Sequence, residues 1–161
     1  MRIGFLLMIA IGLAIGFTVP MRKRVQPPAQ AVATSDRPRE VVRETRLARY
    51  PNGHFYTEAF VNGKTVRFIV DTGATDVALT LDDARVAGIQ VDPAKFEVVG
   101  VGASGAVMGQ NVSLSEVNLE GKRVRDIRGV VLQGLTVSLL GQNYLRQLHS
   151  VEITSDTMTL R

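Results

Sequence analysis

The sequence has no cysteine and no tryptophan, and it has two histidines and 6% aromatic residues among 161 residues. Without cysteine, the chain can form neither a disulfide scaffold nor a thiolate metal site, and it lacks a cysteine nucleophile. The histidines, His54 and His149, stand beside a turn and after an apolar segment, where structural roles are the usual ones. We therefore expect no metal and no cofactor.

Positive charge is scarce outside the N-terminal third of the chain. Residues 1–49 carry nine Lys or Arg and three Asp or Glu, whereas residues 50–161 carry ten basic and twelve acidic residues. The overall charge of +4 therefore comes from the N-terminal part. A mildly acidic globular region is a poor match for a phosphate backbone, so no nucleic-acid partner is expected.

The N-terminus begins with an apolar run. Residues 3–20 form an uncharged stretch of 18 residues, long enough to cross the hydrocarbon core of a bilayer. Three basic residues at 22–24 follow directly, and the nearest small-residue cleavage sequence, at 31–33, lies well beyond them. This order favours a retained anchor over a cleaved signal peptide. We predict a transmembrane anchor over residues 1–21, with the basic residues at the anionic lipid headgroups.

A polar segment separates this anchor from the rest of the chain. Residues 22–49 are rich in Pro, Gln, Ala and Arg and show no hydrophobic period, which predicts a flexible basic tether. The charges flanking the anchor differ by about one, so the positive-inside tendency gives a slight preference for a cytoplasmic globular region. The globular domain is predicted to occupy residues 50–161.

Short β-rich runs separated by turn residues begin at Tyr50. Asn62-Gly63 lies between two such runs and is typical of a tight hairpin, because both turn positions need positive φ. Further hairpins are expected around Glu120-Gly121 and around Ser155-Asp156. Three hairpins in about 110 residues predict a small all-β barrel or sandwich.

Two short helices interrupt the strands. Thr80 can cap a helix over residues 81–87, with Asp82 and Asp83 in the positive first turn and Gly88 as the stop. This dipole preference explains the acidic pair better than catalysis does. A second helix is expected over residues 142–148.

The stretch with the strongest chemical signal is Arg67-Phe68-Ile69-Val70-Asp71-Thr72-Gly73-Ala74-Thr75. An apolar strand ends there in a carboxylate, whose removal from water is costly unless it is hydrogen-bonded, paired or catalytic. Gly73 permits a tight turn, and its N–H and that of the next residue are candidates to bond the carboxylate. The competing interpretation is an Asp-initiated β-turn between two strands.

Two downstream segments favour the catalytic interpretation of Asp71 over the β-turn. Gly100-Val101-Gly102-Ala103-Ser104-Gly105 is glycine-rich, and Val137-Ser138-Leu139-Leu140-Gly141 is an apolar strand followed by a short helix. The ordered set over about residues 50–161 resembles the retropepsin-like aspartic proteases, and it looks closest to their bacterial, membrane-anchored, single-domain branch. Supporting matches are Asn52-Gly53-His54-Phe55, Asp83-Ala84-Arg85 with Gly88-Ile89, and Tyr144-Leu145.

The resemblance implies a small closed β-barrel and assigns roles to individual residues. Asp71 is implied as the catalytic acid, Thr72 as a hydrogen-bonding residue across a dimer, and Gly73 as the residue that lets the turn approach its symmetry mate. Leu139-Leu140-Gly141 is implied as the strand packed beside the catalytic loop. Residues 102–105 match the position of the flap over the substrate. The implied substrate-binding residues are Ala74, Gly102, Ala103, Ser104 and Gly105.

Proteolysis without metal, cysteine or an activated serine can use two carboxylates that share one proton. The chain has one Asp-Thr-Gly and no internal repeat, so a twofold dimer is the economical way to bring Asp71 and Asp71′ together. Asp76 is expected to be a turn or substrate-edge residue. The C-terminal hairpin, residues 151–161, is the expected part of the interface.

The resulting hypothesis is a membrane-anchored homodimeric aspartic endopeptidase acting on a peptide or protein. The resemblance favours a bacterial inner membrane location with the catalytic domain in the periplasm. The alternative from another class is a retropepsin-fold dimerisation or peptide-binding module without efficient proteolysis. A third interpretation, resting on the anchor and tether alone, is a lipid-associated structural domain.

Overall fold

The structure, a computed structural model, describes residues 42–102 and 105–161. The expected transmembrane anchor, residues 1–21, and most of the expected tether lie outside the described residues. Within the described ranges, no helix combines the length and the apolar character needed to cross a membrane.

Ten strands and two α-helices make up the described chain. The strands are β1 (Thr45–Ala48), β2 (Tyr56–Val61), β3 (Lys64–Val70), β4 (Val77–Leu79), β5 (Glu97–Gly102), β6 (Gly105–Leu119), β7 (Lys122–Leu132), β8 (Ser138–Leu140), β9 (Val151–Thr154) and β10 (Thr157–Leu160). The helices are α1 (Leu81–Val86) and α2 (Gln142–Leu145), and a 3-10 turn covers Pro93–Lys95.

Six strands form a closed barrel in the order β2-β3-β8-β4-β7-β6, which a pairing between β2 and β6 completes. Strand β5 continues the sheet beyond β6 and forms a hairpin with it. A separate three-stranded sheet has the order β1-β10-β9. The predicted all-β closed barrel with two short helices is therefore confirmed.

The three predicted hairpins are present. Asn62 and Gly63 take φ values of 50° and 79° between β2 and β3, as a two-residue turn of this kind requires. Glu120-Gly121 joins β6 to β7 with φ values of 49° and 88°, and Ser155, with φ 51°, begins the turn between β9 and β10. These turns were predictable because their residue types tolerate positive φ.

The barrel core is built from alternate residues of its strands. On β3, Val66, Phe68 and Val70 are buried, and the neighbouring strands add fully buried side chains such as Leu79, Leu114 and Leu140. The alternation on β3 ends at Asp71, which is half-buried. The apolar strand thus delivers a carboxylate to the edge of the core.

Strands β3, β8 and β4 determine what lies next to Asp71. β3 pairs with β8 in parallel, with Val70 opposite Leu140, and β8 pairs with β4 in antiparallel fashion. The residue that follows β3, Asp71, and the residue that follows β8, Gly141, therefore leave the barrel at the same edge.

Both predicted helices form. α1 begins after Thr80, whose Oγ1 accepts a hydrogen bond of 3.0 Å from the backbone N–H of Asp83. Ser138, buried on β8, donates to the carboxylate of Asp83 over 2.6 Å and joins this cap to the barrel. α2 is shorter than predicted, ending at Leu145 rather than residue 148.

A strand forms before residue 50. Thr45–Ala48 forms β1 and pairs with β10, with Thr45 buried opposite Leu160. The predicted tether, residues 22–49, is therefore too long at its C-terminal end. A four-residue strand offers too few alternating positions for the hydrophobic pattern to reveal it.

Candidate active site

A tight loop, residues 71–76, connects β3 to β4 and carries Asp71. The backbone N–H of Asp71 donates to the carbonyl of Leu140 over 3.1 Å, and its carboxylate Oδ1 accepts from the N–H of Gly73 over 2.8 Å. The N–H of Ala74 donates to the carbonyl oxygen of Asp71 over 3.3 Å instead of to the carboxylate. Of the two amides expected to reach the carboxylate, only that of Gly73 does so.

Gly73 lies against the carboxylate that it binds. A β-carbon at this position would be 3.2 Å from Oδ1 of Asp71, tighter than an ordinary contact. Among the described residues, no side chain forms an ion pair or a hydrogen bond with that carboxylate. Within the described chain, the contacts that orient Asp71 therefore come from backbone groups.

The start of α2 holds the loop from the opposite side. The N–H groups of Gln142 and Asn143 donate to the carbonyls of Ala74 and Thr75 over 2.8 and 2.9 Å. The side-chain amide of Gln142 also donates to the carbonyl of Thr72 over 2.9 Å. The first amides of a helix lack partners within the helix, and here the loop carbonyls satisfy them. Gly141, which precedes α2, packs directly against the same loop.

A cleft of about 250 Å³ opens beside the loop. Its lining mixes apolar side chains with Thr75, Asp76 and Asn111, and it comes from the loop, from β4, β7 and β8, and from the β5–β6 hairpin. The lining includes Ala74, Ala78, Val99, Val130, Leu132 and Leu139. Asp71 itself is not among the lining residues, but Gly73 and Ala74 of its loop are. The apolar side chains of the walls suit an extended chain that carries apolar side chains.

The β5–β6 hairpin carries the residues that are expected to form the flap. Gly102 pairs with Gly105 at its end, and both glycines line a second hollow of about 540 Å³ together with Leu135. Ala103 and Ser104, the other two expected flap residues, lie outside the described residues. The structure thus places Ala74 in the cleft wall and Gly102 and Gly105 on the hairpin above it.

A polar network that the sequence analysis missed supports the end of the loop. Arg128 on β7 binds both carboxylate oxygens of Asp76, with its Nη2 atom 2.8 Å from Oδ2 and its Nε atom 3.2 Å from Oδ1. Asn143 donates to Asp76 over 3.0 Å and to the carbonyl of Arg128 over 2.7 Å, and it accepts from the N–H of Val77. Asp76 is therefore both a loop-supporting residue and a residue of the cleft wall.

Similarity to known proteins identifies the family of this chain. The family described as gag-polyprotein putative aspartyl protease matches residues 57–147, which include the loop, the hairpin and α2. The chain belongs to the retropepsin-like aspartic proteases. The crystal structure of a retropepsin-like aspartic protease from Rickettsia conorii is 36% identical, covers 73% of this chain and 89% of that chain, and superposes with a TM-score of 0.61.

Two curated relatives of this retropepsin-like chain are uncharacterized proteins. One, from Rickettsia prowazekii, is 36% identical over 120 residues, which are 74% of this chain and 52% of the relative. The other, from the cobV 5′ region of a Sinorhizobium species, is 34% identical over 135 residues, which are 83% of this chain and 56% of the relative. The chain spans about half the length of these relatives.

Within this retropepsin-like domain, the expected catalytic triplet is Asp71, Thr72 and Gly73. Asp71 is half-buried, whereas Thr72 and Gly73 are exposed on the single chain. The two histidines that were expected to be structural are both exposed, with His54 in edge-to-face contact with Tyr56 at 6.4 Å between ring centroids.

Proposed function

We propose that this protein is a membrane-anchored, homodimeric aspartic endopeptidase that hydrolyses peptide bonds with a water activated by Asp71 and Asp71′. The observation that carries the proposal is the placement of Asp71. Asp71 is half-buried at the end of an apolar strand, its carboxylate is oriented by the N–H of Gly73, and Gly73 and Ala74 of the same loop line a cleft. A turn-forming aspartate without function has no need of such a cleft.

The reaction needs one group to accept a proton and another to donate one. Two carboxylates held close together favour a state that shares a single proton, because two like charges repel in a partly dry site. The ionised carboxylate takes a proton from water as that water attacks the scissile carbonyl. The protonated carboxyl donates its proton to the carbonyl oxygen. A tetrahedral intermediate forms, and its collapse with proton transfer to the nitrogen releases the amine product.

One chain supplies one such carboxylate, so the proposal requires a second copy. Strand β9 is an edge of the three-stranded sheet, and edge strands present unpaired backbone groups for association. Ile153 on β9 is 50% exposed, so apolar surface lies at that edge. We place the twofold contact there, within the C-terminal hairpin. Exposed Thr72 is then available to hydrogen-bond across the dimer beside the paired aspartates.

The N-terminal segment provides the anchor in this proposal. Confining both copies to one membrane raises their effective concentration and favours the dimer. We assign the protein to a bacterial inner membrane with the catalytic domain in the periplasm. Reporter enzymes fused after Arg161 test the topology: a fusion active in the periplasm supports it, and a fusion active only in the cytoplasm reverses it.

The decisive experiment compares Asp71→Asn with the wild type on an unstructured protein or a peptide library. Asparagine keeps the shape of the side chain but cannot take part in either proton transfer. Cleavage should fall to below about 1% of the wild-type rate, a loss of more than roughly 3 kcal/mol in transition-state stabilisation. Asp82→Asn, which removes an exposed carboxylate outside the cleft, serves as the control and should cleave normally.

The alternative function, a peptide-binding or dimerisation module, gives a different result in the same experiment. A binding module would hold peptides without cutting them, and Asp71→Asn would leave that affinity largely unchanged. Binding without cleavage by the wild type across acidic to neutral pH would replace the protease proposal with this one.

A further inference from the structure

Arg128 binds Asp76, a residue that lines the cleft. Strands β4 and β7 run parallel with Val77 opposite Gly129, so Asp76 and Arg128, which precede these residues, lie side by side. Side chains alternate along a strand, and Arg128 therefore shares its face of β7 with Val130, a residue of the cleft wall. An extended peptide that lies in the cleft beside Val130 and continues toward the N-terminal end of β7 meets Arg128.

The hydrogen bonds made by Arg128 and Asp76 leave the guanidinium, rather than the carboxylate, available to bind another group. Asp76 is 17% exposed, and its oxygens accept from Arg128 and from Asn143. Arg128 is 63% exposed, and among the described residues its Nη1 atom has no partner. Because an arginine has five N–H donors in a planar fork, one edge can hold Asp76 while the other binds a second carboxylate.

The side chains on β6 opposite Arg128 and Val130 are polar and uncharged. Ser113 pairs with Arg128 across β6 and β7, and Asn111 pairs with Val130 and lines the cleft. A peptide side chain arriving here thus meets one exposed cation and two neutral polar groups, and the carboxylate of Asp76 is already bound by Arg128 and Asn143.

We propose that Arg128 is a specificity-determining residue that selects an acidic side chain in the peptide substrate, at a position removed from the scissile bond. The inference rests on the proposed function, because it concerns the substrate of the same cleft. The apolar part of the cleft takes the side chains nearer the reacting bond, and the free edge of Arg128 takes a Glu or Asp carboxylate at the end of the cleft. No covalent step involves Arg128.

The test uses the full-length protein and a peptide that it cleaves. Each of about four positions on either side of the scissile bond is changed in turn to Glu, Gln or Lys, and kcat/KM is measured for each peptide. One position should prefer Glu over Gln by about three- to tenfold, the range expected for one partly exposed charge-assisted contact. The preference should shrink as salt is raised, because the contact is partly exposed.

Variants then assign the preference to Arg128. Arg128→Gln should bring the Glu-to-Gln ratio close to one, and Arg128→Lys should retain part of it. Asp76→Asn should increase the ratio, because the guanidinium loses the anion that competes for it. Arg125→Gln removes another exposed arginine from β7, one that pairs with Glu116, and should leave the ratio unchanged.

The outcomes separate this inference from the proposed function. No cleavage of any peptide overturns the proposed function itself. Cleavage with a ratio of one at every position, or a ratio that survives Arg128→Gln, overturns the role of Arg128 alone. A preference for Lys would assign recognition to Asp76 instead and would equally overturn it. If Arg128→Gln does not fold, the opposite shifts expected of Arg128→Lys and Asp76→Asn decide the question.

Discussion

Gly141 faces the backbone of Asp76 at a distance that admits no side chain. A β-carbon on Gly141 would lie 2.2 Å from the carbonyl oxygen of Asp76 and 2.9 Å from that of Ala74. This close approach lets the N–H groups that begin α2 reach the carbonyls of the Asp71 loop. Glycine at this position is thus required by packing, and the loop geometry depends on it.

The first prediction concerns Gly141→Ala. The added methyl group must displace the loop or α2, so we expect the free energy of unfolding to fall by about 1–3 kcal/mol or more. Displacing Asp71 should also reduce cleavage by about a hundredfold, since misplacement of about 1 Å can have that effect. Chemical denaturation and peptide cleavage measure the two effects.

Gly100→Ala is the stability control for this prediction, because a β-carbon at Gly100 would meet no atom within 4 Å. Its free energy of unfolding should stay close to that of the wild type. If Gly141→Ala were equally stable and active, the packing of α2 against the loop would not be what positions Asp71.

The features that the sequence predicted depend on residues close together in the chain. The turn at Asn62-Gly63 and the capping of α1 by Thr80 need only local residue types. The contacts of Asp76 with Arg128 and Asn143 join residues 52 and 67 positions apart. They depend on the register of parallel strands, which a hydrophobic pattern does not specify. The order of Asp71, the glycine-rich segment and Gly141 indicated the fold that fixes this register.

A second prediction concerns the dimer. If the β9 edge forms the twofold contact, Ile153→Lys should weaken association because it places two like charges near the axis and removes apolar surface. Wild-type specific activity should rise with enzyme concentration until the dimer saturates, and the variant should need a higher concentration. Sedimentation of both proteins gives the oligomeric state directly.

The matched control for the dimer is Val86→Lys, which replaces an exposed apolar residue on α1, away from β9. It should associate like the wild type. A wild-type protein whose specific activity is full and independent of concentration as a monomer would rule out the paired-aspartate mechanism.

A third prediction concerns β1, which lies before residue 50. A fragment of residues 50–161 lacks β1, so β10 loses its pairing with residues 45–48, and Lys122 loses its hydrogen bonds to Arg43 and Thr45. We expect it to unfold at a lower denaturant concentration than a fragment of residues 42–161. Equal midpoints would show that β1 adds nothing to stability.

The last prediction concerns the pH dependence of stability and starts from Lys122. This lysine is 6% exposed at the start of β7. Its amine donates to the carbonyl of Arg43 and, over 2.8 Å, to Oγ1 of Thr45. Burial lowers the pKa of Lys122 from its ordinary value of 10.5, against an opposing influence from the charge of Glu120. A neutral amine still has two hydrogens, enough for both acceptors.

The folded protein therefore releases the proton of Lys122 at a lower pH than the unfolded chain does. Where the unfolded state binds more protons, stability rises with pH, so this residue should contribute more from its lowered pKa up to about pH 10.5. The free energy of unfolding of the wild type minus that of Lys122→Met should increase with pH over that range, by at most about 1.4 kcal/mol per pH unit. Denaturation of both proteins at several alkaline pH values tests this. If the wild-type free energy of unfolding minus that of the variant decreases as pH rises, folding favours the charged form of Lys122.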